Sequence, residues 1–210
     1  MSNLRYKLEP YLSYAQVLHF KKKASIYRQG EGGKGFYYLE QGGVKIVLLS
    51  DNGHERIVDY IQIGTLLGEH GVSKSPYLTS AFATSPSILY YFSDEALTKM
   101  CKDHPEAALI FTNSLIYKVR LLAELIAFHD SPVKQQTAYY LLKLLQIHEN
   151  ENIPIDQTSL ARYVDTSRIT VNTIVQKWKS LGLIEFSHPG TIRITNIDKL
   201  REIVNNSEHM

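Results

Sequence analysis

Residues 165–184, DTSRITVNTIVQKWKSLGLI, decide how this chain is read. Small hydroxyl residues and one arginine open the segment. Val171, Ile174, Val175, Trp178 and Leu181 then recur at steps of three and four, which puts them on one face of a helix. The other side shows Arg168, Thr170, Asn172, Thr173, Gln176, Lys177 and Lys179, with no acidic residue among them. Ser167 or Thr166 stands where a side-chain oxygen caps the helix by accepting a backbone N–H. Upstream, residues 157–164 read as a shorter helix with Leu160, Ala161 and Val164 inward, and Asp165 and Thr166 as the turn. Two such helices joined tightly make a helix-turn-helix. Its second helix projects a guanidinium, an amide and hydroxyls, groups that suit base edges and phosphates. Residues 185–195, EFSHPGTIRIT, turn at Pro189-Gly190 and read as a two-stranded wing, with His188 or Arg193 placed to touch a DNA backbone. The competing reading is plain packing: any amphipathic helix has a polar face, and helix-turn-helix shapes occur in bundles. The acid-free face favours DNA.

Working outward, residues 149–154, ENENIP, read as a polar loop, and residues 133–148, VKQQTAYYLLKLLQIH, as an amphipathic helix. Pro132 disfavours helical geometry at Ser131, so HDSPVK (129–134) marks a domain boundary. From Glu106 to His129, Leu109, Thr112, Ile116, Val119, Ala123 and Ile126 form a heptad-like seam with one polar break. Leu115, Leu122 and Leu125 add a second apolar flank. Two readings meet this pattern: a helix buried within one subunit, or one that also pairs with a second copy.

Up to about residue 100 the chain reads as short strands and turns, the pattern of a sandwich or jelly roll. Asn52-Gly53 signals a type I′ hairpin between VKIVLL and RIVDYIQI, and EQGGVK a second turn of the same kind. Gly68 and Glu69 sit where a strand hands over to a tight turn.

The chain has 210 residues, enough for one large domain or two small ones. A formal net charge of +2 does not by itself announce a nucleic-acid binder. Cys101 is the single cysteine, which leaves no intramolecular disulfide and no cysteine cluster for zinc or iron–sulfur. The polar, aromatic start lacks a signal core, and no apolar run nears the roughly 20 residues that span a bilayer. These features read as a cytoplasmic protein away from the membrane. No nucleophile elbow, paired metal-ligand histidines or phosphate-binding loop is present; QGEGGKG (29–35) leads into a strand, not a helix. Catalysis is therefore not expected.

The chain as a whole resembles the Crp/Fnr family of bacterial transcription regulators. YLEQGGVKIVLLSDNGHERIVDYIQIGTLLGE (38–69) resembles the cyclic-nucleotide-binding β-roll. LIAFHDSPVKQQTAYYLL (125–142) resembles the junction of dimer helix and DNA domain, and SLARYVDTSRITVNTIVQKWKSLGLIEF (159–186) the winged helix-turn-helix. The resemblance implies an α+β fold in three parts: an effector-sensing roll at 1–105, a dimerisation helix and hinge at 106–130, and a winged helix-turn-helix at 131–210. It implies a homodimer on a two-fold symmetric double-stranded DNA site, and RNA polymerase as a partner if the protein activates. The expected DNA-facing set is Ser159, Thr166, Ser167, Arg168, Thr170, Asn172, Thr173, Lys177 and His188. The expected effector pocket is lined by Gly68, Glu69, Thr79, Ser80, Val119, Arg120 and Ala123.

Departures from the family pattern qualify this. In members that bind cyclic AMP, an Arg-Ser pair follows the Gly-Glu in the phosphate cassette; here Ser80 is kept but Thr79 stands at the arginine position. A hydroxyl does not neutralise a phosphate as a guanidinium does. The positions that read adenine align with Val119 and Arg120. The expected effector is therefore a small molecule other than cyclic AMP, with Arg120 leaving an anion open, and an effector-independent regulator is the alternative. A ligand-binding protein that uses its C-terminal part for protein contacts is a third reading. No resident cofactor is expected; His54 and His70 read as surface or hydrogen-bonding residues rather than haem ligands. At the reading helix only Arg168 is kept of the usual arginine, glutamate and arginine; Ile169 and Thr173 replace the others. Ile169 cannot accept from cytosine but can pack on a thymine methyl.

Overall fold

The computed structural model describes residues 6–148 and 151–205. The chain divides into two compact units, Met1–Ala123 and Glu124–Met210. The fold is α+β.

The first unit holds strands β1 (Gln16–Phe20), β2 (Ser25–Tyr27), β3 (Gly35–Gln41), β4 (Val44–Leu49), β5 (Glu55–Ile61), β6 (Leu66–Leu67), β7 (Ser80–Ala83) and β8 (Ser87–Ser93). They form two four-stranded antiparallel sheets in the orders β1-β8-β3-β6 and β2-β7-β4-β5. Alternation drives this: along β5, Ile57, Asp59 and Ile61 turn inward while their neighbours are half-buried. Leu39, Val44, Ile46, Leu67, Ala81 and Leu89 build the core, joined by Tyr27, Tyr37 and Tyr77. A second cluster, including Leu8, Phe36, Leu66, Phe92 and Met100, lies under a 3-10 turn (Glu9–Tyr14) and two helices, α1 (Asp94–Asp103) and α2 (Ala107–Ala127). Helix α1 lies where strands and turns were expected. Ser93 caps it by accepting from the Ala96 N–H, and Asp94 and Glu95 suit the positive end of the helix.

Both expected turns differ from the sequence reading. Gly53 has φ of 81° but Asn52 is not in the left-handed region, so the β4–β5 connection is not a type I′ turn. Instead the Asn52 side chain accepts from Ser50 Oγ and from the His54 N–H, while the Gly53 N–H donates to the Ser50 carbonyl. Gly42-Gly43 does not close a hairpin either: β3 and β4 belong to different sheets, and the pair carries the chain from one to the other. Gly42 has φ of 96° and lies against the Pro86 carbonyl and Ser87, where a side chain would not fit.

In α2, Ala107, Ser114 and Leu121 are buried. The expected seam lies on the opposite side and is exposed: Leu109, Thr112, Ile116, Val119, Ala123 and Ile126, with Val119 and Ile126 at 67% and 75%. Leu115 and Leu122 of the second flank are exposed as well.

The second unit contains α3 (Val133–His148), β9 (Asn152–Ile153), α4 (Gln157–Val164), α5 (Arg168–Ser180), β10 (Ile184–His188), β11 (Thr191–Ile194) and α6 (Ile197–Asn205). The last turn of α2 packs within it: the Tyr139 hydroxyl donates to Glu124 at 2.7 Å, and Phe128 stacks on Tyr139. These contacts put the division between units inside the long helix, upstream of the expected break at Pro132. The expected wing of two strands is a three-stranded sheet, β10-β11-β9, because Ile153, read as loop, pairs with Ile192. Its core joins Tyr140, Leu141 and Leu144 to Leu160, Tyr163, Val171, Val175, Trp178, Ile184, Ile192 and Leu200. Leu181, expected in the stripe, is 62% exposed. The helix ends at Ser180 and the chain turns through Gly182 at φ of 68°, so Leu183 takes the buried place.

Candidate functional site

Helix α4 begins at Asp156, whose side chain accepts from the Ser159 N–H at 2.7 Å. It stops where Asp165 turns left-handed, at φ 63° and ψ 48°, with the Asp165 and Thr166 N–H groups both returning to the Ala161 carbonyl. Ser167 then caps α5 by accepting from the Thr170 N–H at 3.0 Å. The turn is thus built from one left-handed residue and one cap, and it fixes where α5 starts.

Buried Val171, Val175 and Trp178 turn α5 so that Ser167, Arg168, Asn172, Thr173 and Lys177 are exposed. Thr166, Thr170 and Ser159 are half-buried at the turn and the two helix starts. No acid lies in the first turn of α5, and Lys177 and Lys179 lie in its last. Its positive end thus faces solvent beside a guanidinium, an arrangement that attracts phosphate. Two hydroxyls are engaged locally: Thr170 Oγ1 lies 2.8 Å from Ser167 Oγ, and Thr173 donates to the Ile169 carbonyl at 3.1 Å. His188 is exposed at the β10–β11 turn. Arg193, the other wing candidate, pairs with Glu151 at 3.3 Å.

In the roll, the residues expected around an effector separate into two groups. Gly68, Glu69, Thr79 and Ser80 lie together with His70. Gly68 has φ of 78°, and a side-chain carbon there would come within 3.1 Å of Tyr27. Tyr27 stacks on Tyr77 at 4.2 Å between ring centres and on Tyr37 at 5.8 Å, and His70 meets Tyr27 and Tyr77 edge-on. Tyr77 lies so close to Gly71 that no side chain fits between them. Burial raises the Tyr27 and Tyr37 phenols well above the ordinary tyrosine value. His70 Nδ1 accepts from the Leu78 N–H at 3.2 Å, and its Nε2 lies 3.3 Å from Thr79 Oγ1. Acceptance at Nδ1 puts the proton of the neutral ring on Nε2, so the ring donates to Thr79. Ser80 Oγ accepts from the Gln29 N–H. Val119, Arg120 and Ala123 form the second group. They are exposed on the far side of α2 from Ser114 and Lys118, the two residues that do reach Glu69.

That contact was not foreseen. The Glu69 carboxylate is fully buried; one oxygen accepts from both Ser114 Oγ and the Lys118 ammonium. Lys118 also donates to the Leu66 carbonyl at 3.0 Å. The available signal was Lys118 and Ser114 one turn apart on the buried face of an apolar helix. Among the described residues no group of three or more His, Cys, Asp or Glu is placed to hold a metal ion, and no helix is long and apolar enough to cross a membrane.

Comparison with known proteins bears on both regions. Residues 17–104 match the family model of the cyclic nucleotide-binding domain, and residues 135–203 that of the Crp-like helix-turn-helix domain. The cAMP-activated global transcriptional regulator CRP of Pasteurella multocida is 26% identical, over 88% of this chain and 92% of that one. The cyclic AMP receptor protein of Thermus thermophilus is 26% identical, over 91% and 89%. Among solved structures, FixK2 from Bradyrhizobium japonicum superposes with a TM-score of 0.78 at 16% identity, covering 90% of this chain and 96% of that one. A transcriptional regulator of the CRP family, also from Thermus thermophilus, gives 0.78 at 20%, covering 90% and 97%. At those identities the two structures speak for the fold.

Proposed function

The chain belongs to the Crp/Fnr family of DNA-binding transcription regulators, and from that premise we propose that it acts as a homodimer on a two-fold symmetric DNA site and does not answer to cyclic AMP. The observation that carries the DNA reading is the exposed, acid-free start of α5. Arg168 is assigned to a guanine edge, Asn172 to a base edge, and Ser159, Thr166, Ser167, Thr170, Thr173, Lys177 and His188 to edges or phosphates around it. Replacing Arg168 by Ala should weaken the cognate site by about 1–3 kcal/mol and relax one base position, measured by site selection and titration. Unchanged preference in that variant would remove the assignment. Loss of affinity with rising salt separates DNA contact from a purely protein-binding role.

The exposed stripe on α2 supports pairing with a second copy. An apolar row of this kind on a lone chain is costly in water, and a second α2 is the surface that repeats its pattern.

Two features of the roll support the reading without cyclic AMP. Thr79 stands where a phosphate-neutralising cation would be needed, and Glu69 is already bound to Lys118 and Ser114. Control by a small molecule other than cyclic AMP is the reading we adopt, with Gly68, Glu69, Thr79 and Ser80 around it; Val119, Arg120 and Ala123, on the far side of α2, would join it only from a second copy. A specific observation favours the second reading, effector independence: Tyr27, Tyr77, Tyr37 and His70 pack on one another and on Gly68 and Gly71. Operator titration of purified protein, with cyclic AMP and then with small-molecule extract, separates them. Enhancement by the extract alone supports the first, full affinity without additions the second, and enhancement by cyclic AMP overturns the premise of both. An activating regulator of this kind would also contact RNA polymerase.

A further inference from the structure

The start of α5 presents carbon where the family pattern carries a glutamate and a second arginine. Ile169 is 80% exposed, the highest value among the exposed large apolar side chains of the described residues. A single exposed isoleucine needs no explanation. Its neighbours supply one. Thr173, one turn on along the same face, has its hydroxyl turned back onto the Ile169 carbonyl, which leaves the methyl as the group it offers outward. Thr170 has its hydroxyl on Ser167. Ile169 and Thr173 thus lie one turn apart on the exposed face of α5, with Arg168 and Asn172 beside them and exposed as well.

In the major groove, only thymine presents a methyl group, and apolar side chains contact it there. We infer that Ile169, backed by the Thr173 methyl, reads the 5-methyl group of a thymine beside the base pair contacted by Arg168. The inference rests on the DNA-binding reading above and names the base chemistry of that site. Ile169 carries the preference through its side-chain volume, and Thr173 contributes through its methyl, not its hydroxyl.

The test uses the full-length protein. Sites are selected from a randomised duplex pool, and each thymine of the selected site is then replaced singly by deoxyuridine, which removes only the methyl. At one position in each half-site, deoxyuridine should weaken binding about fourfold, the factor that corresponds to exposing about one carbon. With Ile169→Ala that penalty should vanish at the same position, and selection should lose its thymine there. Thr173→Val should keep the preference and Thr173→Ser should weaken it. Ile169 is exposed, so thermal unfolding of its variants should match the parent. Indifference of the wild-type protein to every deoxyuridine, or the same penalty in Ile169→Ala, overturns the inference and leaves the DNA-binding reading intact. Failure to select any sequence removes both.

Discussion

Lys118 lies on the buried side of an apolar helix, and its ammonium group ends on a carboxylate that water does not reach. Such a pair contributes little net stability, because desolvation offsets much of the attraction, but removing one partner strands the other charge. Lys118→Met should therefore destabilise the first unit by about 3 kcal/mol, the low end for a buried pair, because the Lys118 side chain keeps partial contact with water. Adding Glu69→Gln should restore most of the loss in chemical denaturation; no recovery would mean that the lysine acts through packing. His70 gives a second prediction at this scale. Burial lowers its pKa, with Lys118 acting in the same direction and Glu69 opposing. Folded, the ring stays neutral while the unfolded chain takes up a proton near the ordinary imidazole value of about 6.5. The stabilisation is thus complete above that pH and is lost as pH falls through the lower folded value. The melting temperature should drop more between pH 7.5 and 5.5 for the parent than for His70→Gln. His148, also lowered by burial, adds a drop of the same sign in the second unit that this substitution leaves in place.

At the scale of elements, α5 depends on the cap that precedes it, Ser167. Ser167→Ala removes the oxygen that accepts the Thr170 N–H and should cost about 1 kcal/mol. Trp178, the chain's one tryptophan, is buried in this helix, so its fluorescence during urea unfolding reads that loss in the unit concerned. Equal midpoints would mean that solvent replaces the cap without cost. The same helix was the most legible element of the sequence, because a 3.6-residue stripe and a capping serine are local signals that tertiary structure had no reason to override. The seam of α2 was legible for the same reason. What sequence did not disclose depends on distant partners. β9 is two residues long and exists only because β11 lies beside it. Gly42-Gly43 has hairpin composition, yet the strands it joins pair elsewhere. The Glu69–Lys118 contact spans 49 positions; the one-turn spacing of Ser114 and Lys118 marks a polar pair on the helix but does not name the carboxylate it meets. Val119 and Arg120 were placed around an effector by family alignment alone; in one chain the pitch of the helix turns them to the side away from Glu69. Helix α1 is different, since Ser93 followed by two acids was a readable start that the surrounding run of strands obscured.

For the whole molecule, the decisive quantity is how many copies hold the DNA at once. One reading head joined to another through α2 meets its half-site at a high effective concentration once the first is bound. In the dimer proposed above, the exposed row from Leu109 to Ile126 is the surface on which that depends. Charges placed in its middle, Ile116→Glu with Val119→Glu, should give a particle of the single-chain mass, 24.0 kDa, by light scattering. The folded units should survive, because both side chains are exposed in the single chain. Affinity for a full operator should then fall by about 10²–10⁴-fold, while an isolated half-site is bound as by the parent. Spacing supplies the sharper check. Two heads fixed to one dimer reach successive major grooves on one side of the duplex, about 34 Å apart. Inserting about five base pairs between half-sites turns one of them to the opposite side, and the parent should then bind no better than the charged variant; about ten should restore the facing and recover part of the affinity. A parent protein indifferent to both insertions would show that each head binds alone, whatever the mass of the particle in solution.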